Sequence, residues 1–167
     1  MDYPSNEKIN SEQLRLAMRQ WTTGVTVVTS ESNGFRHGMT VSSFTSVSLE
    51  PPLVLVSIER DVRTHQLVSQ SGIFGVSILV EEHQEISDRF AGRDSEPEDR
   101  FQGLEIFTLH TGAPLLRESL ANFDCVVVDQ HEAGSHSLFI GLVVAVRRGA
   151  SGKPLVYYDR HYRQLKE

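Results

Sequence analysis

The chain is interrupted by turns too often to be a regular series of strand–helix–strand units. Apolar, β-branched runs at 25–30 (VTVVTS), 53–58 (LVLVSI), 74–79 (FGVSIL), 124–129 (DCVVVD), 137–146 (SLFIGLVVAV) and 154–158 (PLVYY) are parted by turn residues. Parallel strands need crossovers of about a dozen residues or more, usually helical. Between strands, only 61–71 and 81–90 have that character. The expected fold is therefore mainly β with peripheral helices, an antiparallel barrel closed wholly or in part.

Local signals refine this outline. Ser32-Asn33-Gly34 marks a hairpin after the first run, with the return strand starting near His37. Residues 38–50 (GMTVSSFTSVSLE) read as a strand whose small and hydroxylic side chains concentrate at Thr40 to Ser43. Pro51-Pro52 ends it, since neither residue can donate to a ladder. The wholly apolar 53–58 run then reads as a central, buried strand. Helix 61–71 stops at Gly72, and 81–90 carries Ile86 and Phe90 one turn apart as its buried side. Leu14, Ala17, Met18 and Trp21 follow helical spacing and are expected to pack one stripe on the core. Residues 91–101 (AGRDSEPEDRF) are the most polar stretch and are expected to form a mobile loop, having little apolar area to offset ordering entropy.

At 167 residues the chain suits a single domain, set at 14–167 behind a polar tail at 1–13. Sixteen Lys+Arg against 22 Asp+Glu leave a net charge of −6. That is the wrong sign for gripping phosphate backbones, so no nucleic-acid partner is expected. No apolar run approaches the ~20 residues of a membrane helix, so no membrane is expected either. A lone Cys125 forms no internal bridge and the first residues lack a secretory signal, which together point to the cytoplasm.

Several motifs fail on spacing. No Gly-x-Gly-x-x-Gly is present, so a nicotinamide cofactor cannot bind through a Rossmann fingerprint. The 149–154 stretch (GASGKP) lacks the first Gly and the Ser/Thr of a phosphate loop and reads as a turn. His131 and His136 are five residues apart with Gly134 between them, which does not present a zinc pair on one helical face, so no metal is expected. Cys125 lies in an apolar strand and reads as a small buried hydrophobe. What remains is a patch of hydroxyls and small residues, Thr40, Ser42, Ser43 and Ser57, followed by Arg63-Thr64-His65 at a turn or helix start. Amides at a helix start, a guanidinium and hydroxyls suit a phosphate, and small side chains let a flat ring approach the backbone.

The order of these pieces resembles the flavin reductase-like family, the small reductase components of two-component flavin monooxygenases, built on the FMN-binding split barrel. The resemblance runs from about Leu14 to Leu165. It is carried by 23–29 (TGVTVVT), by 38–57 (GMTVSSFTSVSLEPPLVLVS) and by Ser71-Gly72-x-Phe74-x-Val76-Ser77-x-Leu79. Further on come Phe90-Ala91-Gly92, Asp99-Arg100-Phe101, Gly134-Ser135-His136, and 154–158 with Tyr162.

The resemblance implies an NAD(P)H-dependent reductase that passes hydride from NADH or NADPH to FMN or FAD and supplies a flavin-dependent monooxygenase. It also implies a homodimer with the flavin near the interface. Thr40, Val41, Ser42 and Ser43 would line the isoalloxazine and ribityl chain, and Ser57, Arg63 and Thr64 would approach the phosphate. Phe90 and Ala91 would close over the flavin, with Arg100 among the flavin-binding residues, while His136 and Tyr162 would face the nicotinamide. Two positions depart from the family pattern: Ser135 replaces the Asp of a Gly-Asp-His motif, and Val62 stands where many relatives have Ser. A second reading, a flavin-binding or electron-carrying module without catalysis, is motivated by Ser135. Purely structural roles are open for individual residues. His136 could be a turn residue, Tyr162 a terminal core aromatic, Phe90 the buried side of its helix, and Arg100 a partner of Asp94, Glu96 or Glu98.

Overall fold

Asn33 and Gly34 have φ of 53° and 81°, both left-handed, which gives a tight hairpin turn whose twist matches its strands. This turn joins β2 (Thr26–Ser32) to β3 (Phe35–Val41), paired in register from Thr26↔Val41 to Ser32↔Phe35. The computed structural model describes residues 9–92, 99–149 and 151–166. The polar segment expected to be a mobile loop falls largely at 93–98, outside the described residues.

The remaining elements are α1 (Ser11–Met18), β1 (Thr23–Gly24), β4 (Thr45–Ser48), β5 (Leu53–Glu59), α2 (Arg63–Ser71), β6 (Ile73–Ile78) and α3 (Gln84–Phe90). They are followed by β7 (Ile106–Phe107), β8 (Leu115–Leu116), β9 (Ala121–Ala133), β10 (His136–Arg148), β11 (Val156–Tyr158) and β12 (His161–Arg163). Seven strands form one antiparallel sheet in the order β3-β2-β6-β9-β10-β5-β4, and β1-β11-β12 form a smaller one. The mainly β, antiparallel expectation matches this arrangement.

Strands β3 and β4 lie at opposite edges of the large sheet, yet only Ser42, Ser43 and Phe44 connect them. Four Cα–Cα steps of 3.8 Å span at most about 15 Å. The sheet must therefore curl until its edges approach, while it stays open between them because no ladder joins β3 to β4.

Successive residues of a strand point to opposite faces, and β2 uses both. Val28 joins one core cluster with Val56, Ile58, Val68, Phe74 and Phe139, whereas Val27 joins another with Leu79, Phe90, Phe101 and Leu155. The buried Asp124 carboxylate accepts from the His110 amide at 2.6 Å, the Thr111 amide at 2.8 Å and the Thr111 hydroxyl, which offsets its desolvation and ties the loop after β7 to β9. Gly72, φ 69°, caps α2 in the left-handed conformation expected of a helix stop.

Two expectations are corrected. The 53–58 run forms β5, but β5 lies second from the edge rather than centrally, and only Val54, Val56 and Ile58 are buried. Leu53, Leu55 and Ser57 face the other way and are half-buried, because among the described residues no layer fully covers this face of the sheet. The stripe on α1 does not pack on the core either. No residue of α1 is buried, and Trp21, past the helix end, is 68% exposed. A capping box between Asn10 and Gln13 forms the helix locally without that packing. Among the described residues no helix is long and apolar enough to cross a membrane.

Gly141 on β10 shows how closely the core is fitted. A Cβ there would approach Phe74 Cε1 to 2.6 Å and Cys125 Cβ to 3.0 Å, both buried. Gly141→Ala should therefore destabilise the protein by about 1–3 kcal/mol through overpacking. Gly24→Ala, with nothing within 4 Å of the added carbon, serves as the control. Urea unfolding should give a lower midpoint for the first variant only, and equal midpoints would contradict the packing described.

Candidate functional site

The site is built at the opening between β3 and β4. Ser42 is exposed and Ser43 half-buried, and the Ser43 hydroxyl donates to the Ser57 carbonyl at 2.8 Å while accepting from the Ser57 amide at 3.2 Å. A side chain thus satisfies main-chain groups of β5 where no strand continues the sheet. On the β3 side, the Thr40 hydroxyl donates to the Ser87 carbonyl at 2.6 Å, joining this edge to α3.

A cleft of about 380 Å³ opens between β3, α2 and α3, within the ~300–1,000 Å³ range of small-molecule sites. Thr40, Arg63, Thr64, Phe90, Ala91 and Arg100 all line it. Helix α2 presents its N-terminus here. Val62 occupies the N-cap and offers no side-chain acceptor, so the first turn lacks a capping oxygen. Arg63 is exposed and has no partner among the described residues. The buried Thr64 hydroxyl lies 2.8 Å from His37 Nδ1. Burial, and then the Arg60 guanidinium, hold the neighbouring His65 imidazole below its usual pKa. Uncapped amides, a guanidinium and a hydroxyl form a donor set for a dianion.

The far wall is held by packing. Gly38 lets the Phe90 ring approach, since a Cβ there would meet Phe90 Cε1 at 2.9 Å. Phe90 is fully buried and meets Phe101 edge-on at 5.2 Å, so its ring forms the wall of the cleft rather than a free flap. Arg100 donates to the Gly38 and Phe90 carbonyls, both at 2.9 Å. Its acidic neighbours at 94, 96 and 98 lie outside the described residues. Arg36, stacked over Phe101 at 4.9 Å, binds Asp99 at 2.6 Å and holds that carboxyl below the usual carboxylate range.

A smaller cleft of about 170 Å³ shares Thr40 and Ala91 with the first and adds Ser42, Ser87, Tyr157 and Tyr162. The Tyr162 hydroxyl lies 2.9 Å from Ser87 Oγ and 2.7 Å from Asp88 Oδ1, and its ring meets Tyr157 edge-on. Ser42 and Ser43 continue into two further clefts beside Trp21. The Thr40–Ser43 segment is thus bordered by a continuous series of clefts starting at Arg63.

Three of the anticipated residues direct their side chains away from the clefts, although the Ser57 main chain meets Ser43 at the opening. Val41 is buried in the core, so only its main chain is near the opening. Ser57 and His136 sit on the outer face of the β5–β10 pair, where Ser57 faces Leu138 and His136 faces Glu59. His136 Nδ1 lies 2.9 Å from the Ser135 hydroxyl. Tyr162, by contrast, lines the smaller cleft. Conversely, His37, Met39 and Tyr157 line the clefts without having been singled out in the sequence. Position on β3 beside the Thr40–Ser43 run was the available signal for the first two, whereas Tyr157 depends on pairing with β1.

Similarity to known proteins agrees with this architecture. Residues 18–166 match the flavin reductase like domain. An NADH-dependent flavin reductase from a Rhodococcus species is 40% identical over 156 residues, covering 92% of this chain and 85% of that protein. HsaB, the reductase subunit of a flavin-dependent monooxygenase from Rhodococcus jostii, is 35% identical over 93% of this chain and 78% of its own. Among solved structures, the NADH:FAD oxidoreductase SgcE6 of Streptomyces globisporus, in complex with NAD and FAD fragments, superposes with a TM-score of 0.86 at 31% identity, covering 96% of this chain and 98% of that one. The match over nearly the whole length, on a sheet split where Ser42 and Ser43 lie, establishes that the chain belongs to the flavin reductase-like family.

Proposed function

We propose that this chain is an NADH-dependent flavin reductase that takes FMN or FAD and supplies the reduced flavin to a partner monooxygenase. The observation that carries the proposal is the uncapped start of α2, with Arg63 and Thr64 on one cleft whose wall leads along Thr40 to Ser43. Relatives named for flavin reduction, and for the reductase subunit of a monooxygenase, support it.

When bound, a nicotinamide and a flavin would supply the redox chemistry, a hydride transfer between the two. The chain's own work is placement. Arg63, Thr64 and the first α2 amides hold the flavin phosphate, and the small residues from Thr40 to Ser43 let the ring lie against main chain. Main-chain amides of that segment would be placed to donate to a flavin ring on which negative charge grows on reduction. The Ser135 hydroxyl lies 2.9 Å from His136 Nδ1 and would orient the imidazole if it meets the nicotinamide. A cytoplasmic location suits the hydride donor and the buried Cys125 thiol, which burial and then Asp124 push up to about 12.

A homodimer completes this reading. Residues paired across an antiparallel ladder share a face, so Leu53, Leu55 and Ser57 lie with Leu142, Ile140 and Leu138 on the outside of the sheet. All are half-buried, and Val144 and Val146 further along β10 are exposed. An apolar face of this kind fits a second copy. His136 and Ser57 lie on it, so the interface would bring them to a cofactor site shared by two chains.

Oxidation of NADH on addition of FMN or FAD tests the activity. Saturable flavin binding without NADH oxidation would favour the non-catalytic module. Arg63→Ala should weaken FMN by about 1.5–3 kcal/mol, the range of hydrogen bonds to charged groups, and leave riboflavin, which has no phosphate, unchanged in fluorescence titrations. Equal weakening of both would remove Arg63 from the phosphate site. Leu138→Asp should convert a dimer to a monomer by sedimentation and lower NADH oxidation. A wild-type monomer with full activity would contradict the shared site.

A further inference from the structure

We propose that the cleft between α1 and the β11–β12 turn is a subsite for the adenosine diphosphate half of a dinucleotide, an inference that rests on the reductase reading above. The cleft measures about 360 Å³, and Ser42 and Ser43 form one of its walls. It is therefore continuous with the segment proposed to hold the flavin ring, and a ligand anchored there can extend into it.

Its lining is strongly cationic. Arg15, Arg19 and Arg160 line it against a single carboxylate, Asp159, in a chain whose net charge is −6. Arg15 is engaged by Glu12 in an exposed ion pair at 2.6 Å, a weak competitor for a polyanion. Arg19 is fixed: its Nε donates to Asp159 at 2.7 Å, and the Asp159 amide donates to the Arg19 carbonyl at 3.1 Å. This double link binds the end of α1 to the turn and sets the width of the cleft. Arg160 has no partner among the described residues.

Asp159 and Arg160 form a two-residue turn with φ of 48° and 63°. Such turns favour Asn-Gly, so the guanidinium stands where the backbone prefers glycine. Beside these cations Trp21 lies 68% exposed, an indole that no core contact uses, with Tyr157 deeper in the cleft. Guanidinium donors match phosphate oxygens, and an exposed indole offers a stacking face to a base. Together they select a group bearing both a pyrophosphate and a flat ring. NADH and FAD carry that same half, whereas FMN and nicotinamide mononucleotide lack it.

Trp21 is the sole tryptophan, so its fluorescence reports on this cleft directly. Titrating the purified protein with ADP should change Trp21 emission saturably, and ADP should inhibit the reductase reaction competitively. With FMN as the flavin, competition against NADH assigns the subsite to the pyridine nucleotide. Competition against FAD alone assigns it to the flavin. R160G suits the turn's backbone and should leave the melting temperature unchanged or higher, yet weaken ADP at least tenfold. In the NADH case it should raise KM for NADH and leave KM for reduced nicotinamide mononucleotide unchanged; in the FAD case it should weaken FAD and spare FMN.

Two results would overturn the subsite while leaving the reductase reading intact: NADH oxidation that ADP neither inhibits nor reports at Trp21, or a ligand-free protein in which Trp21 is already shielded from acrylamide by a second copy. Absence of NADH oxidation with either flavin counts against the reductase reading instead, and the ADP titration then decides by itself whether the cleft binds the diphosphate.

Discussion

Ser42, Ser43 and Phe44 carry the chain from one edge of a seven-stranded sheet to the other, and much of the molecule follows from that short reach. A connection this short forces the sheet to curl. Because it lies outside both edge ladders, it also leaves a gap where polar main chain would otherwise be wasted. The gap is managed locally: the Ser43 hydroxyl serves Ser57, the Thr40 hydroxyl ties β3 to α3, and Arg100 caps the Gly38 carbonyl. Unpaired strand edges invite unwanted pairing. Here the edges are instead lined with groups that suit a planar, hydrogen-bonding ligand.

Electrostatics in this protein is a matter of distribution rather than total. Clefts lined by cations can attract anions within an acidic molecule, because screening limits the reach of distant carboxylates to about 8–10 Å. Arg63 stands at an uncapped helix start, and Arg15, Arg19 and Arg160 gather beside Trp21. The two clusters flank the Thr40–Ser43 segment, an arrangement suited to two anionic cofactors that must meet over one ring. Burial and the Arg60 guanidinium hold the His65 imidazole below its usual pKa, so positive charge at the start of α2 is carried by Arg63 and the helix amides.

Features decided by neighbouring residues were legible in the sequence. The Asn33-Gly34 hairpin, the stop of α2 at Gly72 and the strands β6, β9 and β10 all follow from local turn chemistry and β-branched runs. Features decided by what covers a face were not. The spacing of Leu14, Met18 and Trp21 identifies an apolar stripe correctly but carries no information about a covering layer, and β5 likewise buries only alternate residues. The β1-β11-β12 sheet has strands of two or three residues, too short for any period to register. Site residues divide along the same line. Thr40, Arg63, Thr64, Phe90, Ala91 and Arg100 meet in one cleft. Ser57 and His136 are placed by ladder register, which motif order alone does not encode.

The central claim is that the flavin phosphate binds at the start of α2 and its ring lies along Ser42 and Ser43. A crystal structure of the protein with FMN tests this most directly. The account predicts phosphate oxygens within hydrogen-bond distance of the Thr64 amide and the Arg63 guanidinium, with the isoalloxazine against residues 40–43. A phosphate bound instead at Arg160, or a ring that leaves Ser42 and Ser43 untouched, would contradict it.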